Sequence, residues 1–443
     1  MKEPEVGGRR SEERVDSRQS TVDSETHANS QQPTANSQMP AAFSLPPPAF
    51  RLPPLTITDV EAMVLDSGKN YPDPRQAGEA HGVRFVSLLK ITTDAGIVGW
   101  ADIETQPHVG KAVVDAPSGG AVGFEGLRAA LIGENPFERE RLWQKMYRYL
   151  AYYGRGGAGM QMLSGADIAL WDITGKALGQ PVYALLGAKY RDRVKGYAST
   201  LFRPTPDEMK EAVAGYLERG FRAMKFGWGV FGYDLALDLA LVRAAREEVG
   251  PDIDLMVDAG WYGANAARPF KTRSLRDWIR LARELEELNV FWLEDFLHPE
   301  NVAGYRAVAE ECTTLRVAAG EQAAGYPEFE RLAIEGAVDV LQPDLSRCGG
   351  ITIGRQIADL ATRRQIDCAP HAWLTDLLKA ASLHLNAYLM NALYLEYNVS
   401  SASLLNQLCT MPIAMGDGWI PVPDGPGLGV EVDEERVAHY RVL

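Results

Sequence analysis

The sequence predicts a parallel α/β barrel covered by a smaller α+β unit, and three observations carry that expectation. Apolar segments recur that each end on one ionisable residue: Asp258 after Leu255-Met256-Val257, then Glu294, Glu321, Asp344, His371 and Glu396. The intervals between these six residues are 36, 27, 23, 27 and 25 positions, each enough for one strand and one returning helix. Upstream of Val194 the rhythm is different, with a hairpin followed by helices.

Residues 1 to 50 are rich in Ser, Gln, Glu, Arg and Pro and hold almost no aromatic side chains. So little apolar surface cannot offset ordering entropy, and a disordered tail is expected. Arg9-Arg10 resembles the start of a twin-arginine leader, but Ser11–Ser20 is polar except for Val15, where an apolar region would be required. Order begins near Leu52. Leu55–Asp66 and Arg84–Thr93 alternate like strands, and Asp94-Ala95-Gly96 turns into Ile97–Asp102 as a hairpin. Helices are expected over Gly123–Leu131, Pro136–Leu150 and Met160–Leu178; in the third, Ala166, Ala169, Leu170, Ile173 and Ala177 form one apolar face. These elements make a capping domain over 51–190.

Strand–helix alternation then fills 191–411. Val194–Ser199 and Phe221–Phe226 are the first two strands, with helices over Asp207–Glu218 and Tyr233–Val249. Further helices, Trp278–Glu287, Ala303–Glu311, Glu328–Glu335, Ile353–Arg364 and Leu377–Leu389, separate the strands that end on ionisable residues. Residues 412–443 lack the repeat and are expected to complete the capping domain.

Composition bounds the function. With 443 residues and 46% hydrophobic content the chain can bury a large core. A net charge of −14 without a basic stripe excludes nucleic acid as a partner, and no apolar run is long enough to span a membrane. An anionic substrate must therefore be caught by local positive charge. Cys312, Cys348, Cys368 and Cys409 are scattered and form no CxxC, which fits a reducing cytoplasm.

In a parallel barrel the C-terminal ends of the strands face the active site. Asp258, Glu294 and Glu321 therefore stand side by side on consecutive strands, and three adjacent carboxylates repel unless a cation lies among them. Hard oxygen ligands suit Mg2+, with Mn2+ as the alternative. Asp344 and His371 follow on neighbouring strands, where a carboxylate on one imidazole nitrogen raises the basicity of the other. Lys225 shares the inward face of its strand with Ala223 and Gly227.

Residues 52–443 resemble the enolase superfamily, and within it the mandelate racemase subgroup. The resemblance is carried by Ser164-Gly-Ala-Asp-Ile-Ala-Leu-Trp-Asp172, Gly175-Lys-Ala-Leu-Gly-Gln-Pro181 and Leu185-Leu-Gly187, and by the ordered ring of acids. It implies a (β/α)7β barrel with an α+β cap, and metal acids at Asp258, Glu294 and Glu321. It further implies a His–Asp dyad at Asp344 and His371, an acid at Glu396, a small carboxylate substrate whose α-proton is removed to give an enediolate, and a homo-oligomer. One departure stands out. The family commonly carries Lys-x-Lys on the second barrel strand, whereas this chain has Lys225-Phe226-Gly227. Racemisation needs a base on each face of the substrate; elimination of water needs one abstraction and one acid.

The reading that follows is a sugar-acid dehydratase. His371 with Asp344 takes the α-proton and returns it to the leaving hydroxyl, Lys225 binds the carboxylate, and Glu396 in protonated form donates a hydrogen bond to the enediolate. Lys225 remains open as an alternative base. An epimerase using Lys225 is the catalytic alternative; a non-catalytic sugar-acid-binding protein is the alternative from another class, and it leaves the dyad without a purpose. A muconate-cycloisomerase role is disfavoured because that subgroup lacks the dyad. Specificity is expected in the loops Val64–Gly82 and Thr105–Gly120, with Trp228, Trp261 and His298 as further candidates for the pocket wall.

Overall fold

The computed structural model describes residues 54–69, 83–120, 123–187, 189–260 and 273–443. The expected disorder of residues 1–50 therefore lies outside the described residues, as do Trp261 and positions 70–82 of the first specificity loop. The N-terminal strands β1 (Ile57–Asp66), β2 (Phe85–Thr93) and β3 (Val98–Ile103) form an antiparallel sheet in that order. The second hairpin turns at Gly96, whose φ of 74° lies in the left-handed region.

Among the described residues, eight parallel strands follow: β4 (Arg193–Leu201), β5 (Ala223–Gly227), β6 (Asp254–Asp258), β7 (Val290–Glu294), β8 (Arg316–Ala319), β9 (Val340–Leu341), β10 (Asp367–Cys368) and β11 (Leu395–Asn398). A helix follows each of the first seven strands, which makes a (β/α)7β barrel. The ladder runs from β10 through β4 to β11, and a parallel bridge from Cys368 to Ala392 links its two ends. Inside, Tyr197, Ala223, Met256, Trp292, Ala318, Val340, Ala369 and Tyr394 pack into one buried layer. This layer is the floor beneath the site. With side chains alternating along each strand, the next inward residues are Ser199, Lys225, Asp258 and Glu294.

The long helix Gly157–Leu178 fastens the cap to the barrel, and its polar residues show why the motif there has its spelling. Helix Gly350–Arg364 begins at Gly349 with no side-chain cap of its own. Ser164 Oγ instead accepts the Gly349 N–H at 2.8 Å, and Asp167 accepts the Thr352 N–H at 2.9 Å and its hydroxyl at 2.6 Å. Trp171 Nε1 donates to the same hydroxyl. A carboxylate thus meets the positive end of a helix dipole across the contact between cap and barrel. Asp172 accepts the N–H groups of Trp100 and Leu428, tying β3 to the C-terminal segment. That segment adds β12 (Trp419–Pro421) antiparallel to β4, then exchanges backbone hydrogen bonds with Val64 through Val442 and Leu443.

Two expectations need correction. The stretch from Thr105 to Gly120 is largely the helix Pro107–Asp115, with Pro107 in its first turn and Gln106 accepting the Val109 N–H. Helix Gly123–Leu131 shrinks to Leu127–Leu131, because Gly126 is extended at its N-terminus.

Candidate active site

The strand ends bring the predicted residues to one mouth. Gly227 pairs with Asp258, and Asp258 pairs with Glu294, so their side chains lie at one level. Glu321 comes two residues past the end of β8. Gly320, with φ of 130°, bends the chain so that the carboxylate returns to its neighbours. One oxygen from each of Asp258, Glu294 and Glu321 lies within 4.8 Å of the others.

Lys225 sits among the acids. Its Nζ is 2.6 Å from Glu294 Oε1, 3.1 Å from Glu396 Oε1 and 3.4 Å from Asp258 Oδ2. Burial works against its charge, but Glu294, Glu396 and Asp258 outweigh that and hold the ammonium well above its usual range. Burial also pushes the Asp258 carboxyl up to about 6 and the Glu294 carboxyl up to about 7, with Lys225 opposing both. The acids are therefore short of positive charge. An all-carboxylate donor set with a charge deficit fits a hard divalent cation, which Asp258, Glu294 and Glu321 would hold. Trp292 Nε1 donates to Glu294 Oε2 at 2.8 Å and fixes its orientation from below.

Across the mouth, His371 Nδ1 lies 2.7 Å from Asp344 Oδ2, and Asp344 Oδ1 accepts the Ser346 N–H and hydroxyl. Nδ1 therefore carries the proton and Nε2 faces the cavity, 3.3 Å from Glu321 and 3.4 Å from Glu396. Burial disfavours the imidazolium, yet Glu396, Glu321 and Asp344 around it raise its basicity well above that of free histidine.

Glu396 differs from expectation. Burial raises its carboxyl, but Lys225 and His371, with the Ala372 N–H and the Ser199 hydroxyl, bring it down to about 2. As placed it accepts the Ala372 N–H and the Ser199 hydroxyl, which favours the ionised form over the protonated donor expected from the sequence. It bridges Lys225 and His371.

Three residues at the site carry no strong sequence signal. Glu104 arrives from the cap, one residue past β3, and Arg347 follows the dyad acid by three positions. Arg347 Nη2 is 2.5 Å from Glu104 Oε1, and Nη1 donates to the Glu321 carbonyl. Ser199 lies in an ordinary strand. An acid ending a hairpin strand, in Ala101-Asp-Ile-Glu104, was the one readable trace.

These groups enclose a cavity of about 130 Å³, walled also by Leu201, Trp228 and Trp373. Trp228 thus lines the site, whereas His298 lines a different hollow. That hollow is larger, about 560 Å³, but lies beside Asp295 and Tyr305 and is lined by none of the predicted catalytic or metal-binding residues. The predicted residues Lys225, Asp258, Glu321, His371 and Glu396 all line the smaller cavity.

Comparison with known proteins agrees with this geometry. Residues 208–436 match the model of the enolase C-terminal domain-like family, and residues 60–187 match the mandelate racemase / muconate lactonizing enzyme N-terminal domain. The chain is 35% identical to a D-galactonate dehydratase of Variovorax paradoxus, over 80% of this chain and 90% of that protein. It is 32% identical to a D-galactarolactone cycloisomerase of Agrobacterium fabrum, over 80% of this chain and 91% of that protein. The crystal structure of a 3,6-anhydro-D-galactonate cycloisomerase from Zobellia galactanivorans superposes with a TM-score of 0.75 at 30% identity, covering 88% of this chain and 100% of that one. With both family models matched in order and the strand-end carboxylates in place, this chain belongs to the enolase superfamily, in its mandelate racemase subgroup.

Proposed function

We propose that this protein is a divalent-cation-dependent hydro-lyase. It removes the α-proton of a sugar-acid carboxylate and expels the β-hydroxyl as water. The observation that carries the reading is the pairing of one imidazole, ordered by Asp344, with one ammonium across the same cavity, with no second lysine beside Lys225 among the described residues. Relatives named as D-galactonate dehydratase support the substrate class.

Asp258, Glu294 and Glu321 would hold a divalent cation, Mg2+ or Mn2+, which when bound would supply positive charge against the dianion that develops on the substrate. Lys225 binds the same carboxylate as a fixed ammonium, and its acidic neighbours keep it protonated. His371 takes the α-proton at Nε2, while Asp344 holds the tautomer through Nδ1. The imidazolium then delivers that proton to the leaving hydroxyl, so the proton removed leaves as part of water. Glu396 accepts hydrogen bonds and keeps Lys225 and His371 in register. The indoles of Trp228 and Trp373 and the side chain of Leu201 exclude water from this step.

Gly227 bears on the epimerase alternative. A Cβ there would lie 2.9 Å from Asp258 Cβ and 3.1 Å from its Cγ, so a longer side chain displaces a metal-binding residue. The position of the second lysine is closed to a larger side chain unless Asp258 shifts. A cycloisomerase reading has a specific support in the relative of that name. It needs the same abstraction, with a ring oxygen leaving in place of hydroxide. Screening six-carbon sugar acids and their lactones for 2-keto-3-deoxy products with Mg2+ present tests the proposal. Dehydration of a free acid is the expected result, and turnover of lactones alone would replace it with the cycloisomerase reading.

A further inference from the structure

The carboxylate of Glu104 is only half used. Its Oε1 is clamped by Arg347 at 2.5 Å, and its backbone N–H donates to Ser346 Oγ at 3.2 Å. Its Oε2 is buried and has no hydrogen-bond partner among the described residues. The same oxygen stands 3.8 Å from His371 Nδ1, on the wall of the catalytic cavity. A buried carboxylate oxygen left unpaired is costly, and the loss is recovered when a donor enters the cavity.

The two cations that line the cavity are already paired with acids. Lys225 faces Glu294, Glu396 and Asp258, and Arg347 faces Glu104, Asp344 and Glu321. What Glu104 Oε2 offers a substrate at this end is an unpaired oxygen. The barrel acids and Lys225 take the carboxylate end of an acid, so Glu104 meets the chain beyond the reacting carbons. A second anionic group would be repelled there; a hydroxyl would be bound.

We infer that Glu104 is a specificity-determining residue supplied by the cap, whose Oε2 accepts a hydrogen bond from a hydroxyl on the distal chain of the substrate. It selects polyhydroxylated acids over their deoxy counterparts. Arg347 and Ser346 are positioning residues that aim this oxygen. The inference rests on the sugar-acid reading of the site.

The test compares one six-carbon sugar acid turned over by the wild type with its 4-, 5- and 6-deoxy analogues, in the full-length protein with Mg2+. A lost hydrogen bond to this buried carboxyl predicts that one deoxy analogue loses about 10-fold or more in kcat/KM. Glu104→Gln keeps an oxygen for Arg347 and replaces Oε2 with an amide nitrogen that cannot accept. It is expected to lose a comparable factor on the parent acid and almost nothing further on that analogue. Equal losses on parent and every analogue would show that Glu104 only holds Arg347, and would overturn the inference. If Glu104→Gln does not fold, the wild type alone decides, because equal kcat/KM across the deoxy series also overturns it. If the wild type dehydrates no acid, the dehydratase reading fails separately, and calorimetric binding of the same series reads the Glu104 contact. Weaker binding of one analogue supports the contact, and uniform or absent binding overturns it.

Discussion

Asp258 and Glu294 are buried with one ammonium between them; burial raises both carboxyls, and Lys225 offsets this only in part. Chelation is therefore expected to abolish turnover, and added Mg2+ to restore it; full activity in a metal-free sample would contradict the assignment. Glu294→Gln removes a ligand without opening a cavity. It should weaken Mg2+ binding, read by calorimetry, by at least about tenfold while the melting temperature holds. Gly227→Ala addresses the same group from the other side. Its new methyl meets Asp258, so Mg2+ binding should weaken, with about 1–3 kcal/mol lost in urea unfolding from overpacking. Unchanged metal affinity in this variant would show that Asp258 has room to move. At this scale, the carboxylates and the dyad were legible because each ends an apolar strand. Glu104, Arg347 and Ser199 were not, since their roles depend on which segments the fold brings together. Nor could the sequence show that Glu396 faces two cations, which is what keeps it ionised.

The contact between barrel helix Asp376–Tyr388 and the cap depends on a neutral histidine. His384 Nε2 lies 3.1 Å from the Leu428 carbonyl, and its Nδ1 accepts the Tyr183 N–H at 3.3 Å. One donor and one acceptor satisfy the neutral ring completely. A proton on Nδ1 would confront an N–H, and burial pushes the group down to about 4. The folded value lies below the unfolded one, so the unfolded chain takes up a proton first as the pH falls. This contribution to stability is complete above pH 6.5 and is lost progressively down to pH 4, amounting to about 3 kcal/mol. His384→Gln should flatten the fall in unfolding free energy between pH 7 and pH 4.5; an unchanged pH slope would contradict the assignment. Helix positions were read well from apolar spacing where the helix is long, as in Gly157–Leu178. Helix Pro107–Asp115 was missed because its signals, Pro107 and the Gln106 cap, are local and its apolar face is short.

Over the whole molecule, barrel and cap divide the work. The barrel places Lys225, Asp258, Glu321, His371 and Glu396 around the cavity from its strand ends, and the cap adds Glu104 to the wall. The barrel rhythm was legible because strand and helix periods differ and each repeat carries an ionisable marker. How the cap docks was not, because that depends on contacts such as Asp167 to Thr352, 185 residues apart. The central claim is that His371 alone moves the proton while Lys225 only binds charge. The most direct measurement is exchange of the substrate α-proton in D2O, followed by NMR with Mg2+ present. His371→Asn is expected to lose both exchange and product, by about 10²–10⁴-fold or more. Lys225→Met is expected to bind the acid more weakly and turn it over slowly while still exchanging the proton through His371. Exchange that survives in His371→Asn and disappears in Lys225→Met would contradict the account, making Lys225 the base and His371 the acid that expels water.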